Sequence, residues 1–296
     1  MPVEQAVTAI AKAPSRRRSL PLTIAMFVCV GYFLLPLLWL AIASTKSDSG
    51  LFNSFGFAIQ IHDFQLWHNV HDVFTYGHGQ YARWLLNTVF YAVTSAGGAA
   101  IFAAAGGYGF AKYDFAGKRA AFAVIIVSIM VPSVALTIPS YLLFAKVGIV
   151  NTPLAIILPS LISPFGIYLM RIYTVDAVDH SLLEAARIDG AGELRIFLQI
   201  ALRLLAPGIV TVVLFTLVAT WNNYFLPFVM LNNQRLFPVT VGLAQWNAQA
   251  SGGGGAQAVF SLVITGSVIS VLPLAVAFLF LQRYWQSGLS AGSVKT

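Results

Sequence analysis

Six runs of about twenty apolar residues (22–43, 84–111, 120–145, 153–170, 204–231 and 259–281) contain no Asp, Glu, Lys, Arg or His. A helix of that length crosses the roughly 30 Å hydrocarbon core of a bilayer. The chain has too little polar surface to hide these segments from water. It is 58% hydrophobic and 9% charged, against about 25% charged in a soluble domain. Most of its solvent is therefore lipid. The expected fold is an all-α membrane protein with six transmembrane helices over residues 22–283, flanked by polar tails at 1–21 and 284–296.

The first run has a competing reading as a secretory leader. Lys12 and Arg16-Arg17-Arg18 precede it, and Ala41-Ile42-Ala43 has the small-residue form of a peptidase site. The run is longer than the 7–15 residues or so of a leader's apolar core, and it holds Pro36 and Trp39 near its end. A retained membrane helix is expected. The second run is dense in small residues, with Ala96-Gly97-Gly98-Ala99-Ala100 and Ala103 to Gly107. That pattern suits close helix–helix packing rather than a lipid face. Pro132, Pro139, Pro159 and Pro164 in the third and fourth runs predict kinks or unwound turns.

Several chemistries are disfavoured by what the chain lacks. Ion-coupled carriers usually keep ionisable groups within the membrane to bind or relay the driving ion. A sodium site made of carbonyls and hydroxyls needs none, so an ion-coupled secondary transporter stays open as the alternative. Intramembrane hydrolysis needs paired Asp, a Ser/His pair or a zinc HExxH on a span; no HExxH occurs, and no His or Asp lies in any of the six runs. No GxxxxGKS or GxxxxGKT phosphate loop is present. The single cysteine, Cys29, allows no disulfide framework and no thiolate metal set. The interval 46–83 carries His62, His68, His71 and His78, but no two are four residues apart. No metal site is assigned there; a loop or interfacial segment using its aromatics at headgroup level is expected. No cofactor and no catalytic residue are expected.

Between the fourth and fifth runs lies a polar stretch, 181–207. Ser181 followed three residues later by Glu184 has the form of a capping box, which predicts a helix start. Leu182, Ala185, Ala186 and Asp189 then fall at i, i+3, i+4 and i+7, one smooth face with almost no side chain. Gly190 supplies the left-handed residue that ends such a helix. A second helical run begins at Glu193. A short helix with a small-residue face lets another surface approach closely, so this stretch reads as a docking plug.

Glu184-Ala185-Ala186, Gly190, Ile200 and Leu202 together resemble the EAA loop of permeases from binding-protein-dependent ABC importers. Gly106-Gly107-Tyr108-Gly109-Phe110-Ala111-Lys112, Trp221-Asn222-Asn223 and the tail Gly288-Leu289 with Gly292-Ser293-Val294-Lys295 resemble its carbohydrate, maltose-type branch. The family pattern places Pro directly after the Leu, whereas this chain has Arg203 and reaches Pro only at Pro207. The bend into the fifth span is therefore not given by the resemblance. The resemblance implies a coupling helix, with Ser181, Glu184, Ala185, Ala186, Asp189 and Gly190, entering a cleft on a cytoplasmic ATPase. It further implies a second permease subunit, an ATP-binding cassette ATPase dimer, and an extracytoplasmic solute-binding protein facing the interval 232–258. The implied function is inward movement of a sugar, or of a non-sugar solute, driven by ATP hydrolysis on a partner chain.

Charge placement gives an orientation without using the family. With the N-terminus cytoplasmic, inside segments hold 13 of the Lys and Arg residues and outside segments hold Lys46, Arg83, Lys146 and Arg235. That is a clear positive-inside bias. It puts both termini and the 181–207 loop in the cytoplasm; the resemblance implies that the membrane is the bacterial inner membrane. It also accounts for the net charge of +7 without nucleic acid. A path for a neutral solute calls for uncharged polar and aromatic groups. Trp221, Asn222, Asn223 and Tyr224 are the lining candidates, with hydrogen bonding to neighbouring helices as their bland alternative.

Overall fold

The computed structural model describes residues 19–59, 61–251 and 256–291. The expected tail sequences at 1–18 and 292–296, and residues 252–255 of the glycine run, lie outside the described residues. All regular structure among the described residues is helical.

α1 (Leu20–Ala43) has Pro in its first turn and Pro36 inside it. Almost its whole length is exposed, including Phe27, Tyr32 and Phe33. Lipid is the solvent that makes such a surface stable. The chain then turns through α2 (Asp48–Asn53). Buried Lys46 organises this turn: its Nζ donates to Ser54 Oγ (2.9 Å) and to the carbonyls of Phe55 (2.8 Å) and Gly56 (3.2 Å).

α3 (Leu66–Lys112) consists of two helical stretches, 66–75 and 80–112, joined through Gly77, His78 and Gly79 at φ of 59°, 61° and 77°. Much of the interval 46–83 is therefore helical, where a loop or interfacial segment was expected. His68 and Asp72, one turn apart, pair at 3.2 Å. The second stretch of α3 is the axis of the fold. Ser95, Ala96, Ala99, Ala100, Ala103, Ala104 and Gly107 make one buried stripe along it. A Cβ added at Gly107 would lie 2.5 Å from Met170 Cβ and 2.7 Å from the Arg171 nitrogen. Small residues here let two backbones touch, as the small-residue run predicts.

α4 (Lys118–Ile129) and α5 (Thr137–Lys146) form one bent pair, turned by 102° across the segment containing Pro132. Pro139 sits in the first turn of α5, where its missing N–H leaves no bond unmade. α6 (Leu154–Leu161) and α7 (Pro164–Ala177) are separated by Ile162 and Ser163, with Ser163 Oγ accepting from the Gly166 N–H at 3.0 Å. After α8 (His180–Ile188) and α9 (Glu193–Ile196), a wide turn over Phe197–Ala201 leads to α10 (Leu202–Leu204). The chain bends by 76° into α11 (Ala206–Trp221), with Pro207 in the first turn. The bend that the resemblance left open thus falls at Leu205, with proline where a helix start tolerates it.

α11 stops at Trp221, and α12 (Phe225–Met230) starts after a break at Asn222–Tyr224. The fifth apolar run is not one helix. α13 (Val239–Ser251) and α14 (Ala256–Ala291) complete the chain. α13 occupies part of the interval 232–258, where a polar outside segment was expected. It folds because Val239, Val241 and Trp246 are buried against α3 and α14, and because α3 satisfies the backbone that precedes it. Trp84 Nε1 donates to the Gln234 carbonyl (3.0 Å), Asn87 Nδ2 to those of Arg235 and Phe237 (2.8 and 3.0 Å), and Tyr91 Oη to that of Leu236 (2.8 Å). Among the described residues, four helical segments are each long and apolar enough to cross a membrane, and the two bent pairs raise that to as many as six.

Candidate functional site

The polar loop forms its helix two residues earlier than the capping box implied. Asp179 is the N-cap: its extended backbone (φ −73°, ψ 144°) lets Oδ1 accept from the Ser181 N–H at 3.0 Å. This bond holds the Asp179 carboxyl below the ordinary carboxylate range. Ser181 and Glu184 are both exposed, and Glu184 does not close the box. Asp179 wins because it precedes Ser181 in the chain and offers an ionised oxygen to the first free N–H groups.

At the far end the expectation for Gly190 holds. Its φ is +81°, the Gly190 N–H donates to the Arg187 carbonyl and the Ala191 N–H to the Ala186 carbonyl, both at 3.0 Å. That is a Schellman ending, with glycine at the left-handed position. The face is divided differently from the expectation. Leu183 and Ala186 are buried against the chain's own core, while Leu182, Ala185 and Asp189 point outward beside a strongly exposed Ile188. Ala186 seats the helix, and Leu182, Ala185 and Asp189 are the surface it presents.

The second feature is a cavity of about 860 Å³ where three breaks in the helical ladder meet. Its wall takes in the segment around Pro132 between α4 and α5, Ile162 and Ser163 between α6 and α7, and Asn222–Tyr224 between α11 and α12. Broken helices are tolerated at membrane depth only where the freed backbone is buried in protein or lines a cavity. Of the four residues offered as path lining, Asn222, Asn223 and Tyr224 line this cavity; Trp221 is 7% exposed and lies outside the lining, packed into the protein. One turn of helix explains the difference, since Trp221 is the last helical residue and faces inward. Asn223 Oδ1 accepts from the Leu226 N–H at 3.4 Å and its carbonyl accepts from Thr240 Oγ1 at 2.9 Å, so it also supports structure. Ser133, Thr137, Ser160, Ser163, Thr216 and Thr220 add hydroxyls, and Phe165 and Phe215 add an edge-to-face aromatic pair. None of these was singled out in the sequence, although Pro132, Pro159 and Pro164 flank several of them. No lining side chain is ionisable at neutral pH.

A helical membrane protein with broken spans around a polar, uncharged cavity, and an exposed short helix at one end, has the form of a transport permease. The family model described as "Binding-protein-dependent transport system inner membrane component" matches residues 96–290. The chain is 31% identical over 217 residues to the arabinooligosaccharides transport system permease protein AraQ of Halalkalibacterium halodurans, covering 73% of this chain and 75% of that one. It is 27% identical to the lactose transport system permease protein LacG of Rhizobium radiobacter, covering 94% and 98%. It is 31% identical to the osmoprotective compounds uptake permease protein GgtD of Synechocystis, covering 94% and 93%. In fold it is similar to a chain of a bacterial ABC transporter involved in import of the acidic polysaccharide alginate, with a TM-score of 0.78, 23% identity, and coverage of 89% and 94%. The chain belongs to the family of inner-membrane components of binding-protein-dependent transport systems. It is a multi-pass ABC importer permease and a transport subunit, in a family that works with a partner permease, an ATPase and a solute-binding protein.

Proposed function

We propose that this chain forms half of the path by which a neutral sugar, an oligosaccharide or sugar derivative, enters the cell. The observation that carries the reading is the cavity: hydroxyls, amides and aromatic rings converge on it, and no ionic side chain does. Sugars are bound by such hydrogen-bonding and stacking groups. The names of AraQ and LacG support the same solute class. ATP hydrolysis resides on a partner ATPase, and α8 is the coupling helix that docks on it between the fourth and fifth of six spans. Closing of the ATPase dimer carries α8 with it, and the broken spans alternate between outward and inward access. A second permease chain closes the other side of the path.

Two tests follow from this reading. Asn223→Leu removes a lining amide and its bond to Leu226, and is expected to lower uptake of a panel of labelled neutral oligosaccharides by about tenfold, the scale of one buried hydrogen-bonding group. Unchanged uptake of every accepted sugar counts against the path. For orientation, both termini and α8 are cytoplasmic. In a Cys29→Ser background on intact cells, an impermeant thiol reagent is expected to label Ser251→Cys and spare Ser181→Cys. The reverse pattern inverts the topology.

A further inference from the structure

We propose that Lys112 and Tyr113 are positioning residues that strap α8 to the cytoplasmic end of α3, so that displacement of α8 reaches the second stretch of α3, the axis of the fold, and not only the helices that flank α8. This rests on the reading of α8 as the helix that docks on the ATPase.

The two residues are neighbours at the end of α3, and they grip opposite ends of α8. Lys112 Nζ donates to the carbonyl of Val178, the residue immediately before the N-cap Asp179. Val178 is itself fully buried, so that carbonyl is a fixed point. Past the other end, Tyr113 Oη donates to Glu193 Oε2 at 2.6 Å. The same carboxylate receives Arg187 from α8, Nε to Oε1 at 2.7 Å and Nη2 to Oε2 at 3.3 Å. Burial and the Glu193 hydrogen bond push the Tyr113 phenol up, which keeps it a donor at neutral pH.

The main chain offers little to do this job. On entry α7 and α8 are joined through Val178 and Asp179 in extended conformation, and on exit the chain runs through Gly190, Ala191 and Gly192. Glycines transmit force poorly because their backbone has many accessible states. The side-chain grips bypass that weak exit. α3 in turn packs most extensively on α7 and α11, the helices that begin or end at two of the three breaks around the cavity. A push on α8 thus has a path of packed side chains to the cavity wall.

The test uses the complete complex in proteoliposomes, with spin labels at Ser133→Cys and Thr216→Cys, two lining positions on different elements, and Mg-ATP plus vanadate as the trap. An Ala185→Cys cross-link to the ATPase reports docking of α8, all in a Cys29→Ser background. In Tyr113→Phe, cross-linking is expected to stay at the strapped level while the vanadate-trapped cavity population falls about threefold, the scale of one lost hydrogen bond. Glu193→Gln is expected to act in the same direction, and the double variant to be no worse than Glu193→Gln alone, because the two share one bond. An unchanged cavity shift with docking intact overturns the strap. So does a parallel fall in docking, cavity shift and thermal stability, which would mark Tyr113 as merely structural. Failure of the cross-link without any strap variant overturns the reading of α8 itself, which separates the two failures.

Discussion

Gly190→Val is expected to lower ATP hydrolysis stimulated by the solute-binding protein about thirtyfold in the assembled complex, while the membrane spans stay folded. The space around Gly190 is open: an added Cβ would meet nothing within 4 Å. The effect is therefore purely conformational. At φ +81° a β-branched residue is a genuine outlier, at a cost on the order of 2 kcal/mol, which corresponds to about a thirtyfold change in population. Relief requires φ to turn negative, which breaks the hydrogen bonds of Gly190 and Ala191 to α8 and moves Glu193 away from Arg187. Gly190→Asn is the control, because asparagine tolerates the left-handed region; it is expected to retain most of the stimulation. Full stimulation in Gly190→Val removes this loop from coupling.

Much of the fold was legible because lipid simplifies the problem. A run such as 259–281, without one ionisable residue, has few alternatives to a membrane helix, and the Ala and Gly run of α3 announces a close approach. Gly190 was legible for the same kind of reason: one residue type serves that backbone position best. What was missed depends on contacts distant in sequence. α13 was hidden because its apolar residues are few, and its preceding loop is satisfied by Trp84, Asn87 and Tyr91, about 150 residues away. The break at Asn222–Tyr224 was missed although Pro227 stands in the first turn of α12, because local composition continues smoothly into that helix. The cap at Asp179 was missed because Ser181 and Glu184 have the form of a capping box; Ser and Asp both cap well, and only the backbone angles choose between them. In the cavity, the hydroxyls of Ser133, Ser160 and Thr216 are individually unremarkable in membrane helices. They become a site only when three breaks bring them together.

The second large effect concerns the energy source. The six apolar runs contain no Asp, Glu, Lys, Arg or His to couple to an ion gradient, and among the described residues none of these lines the cavity. In the proposed reading the exposed face of α8 (Leu182, Ala185, Asp189 and Ile188) is the docking surface instead. Uptake should therefore belong to the complex and follow ATP, with no flux through this chain by itself. The most direct measurement is uptake of labelled oligosaccharide into proteoliposomes made with either the complete complex or this chain alone, each with and without proton and sodium ionophores. The account predicts ATP-dependent uptake from the complete complex despite the ionophores, complete loss when the phosphate-loop lysine of the ATPase is replaced, and none from the chain alone. Gradient-driven uptake by the isolated chain, measured without ionophores, would contradict it and establish an ion-coupled carrier instead.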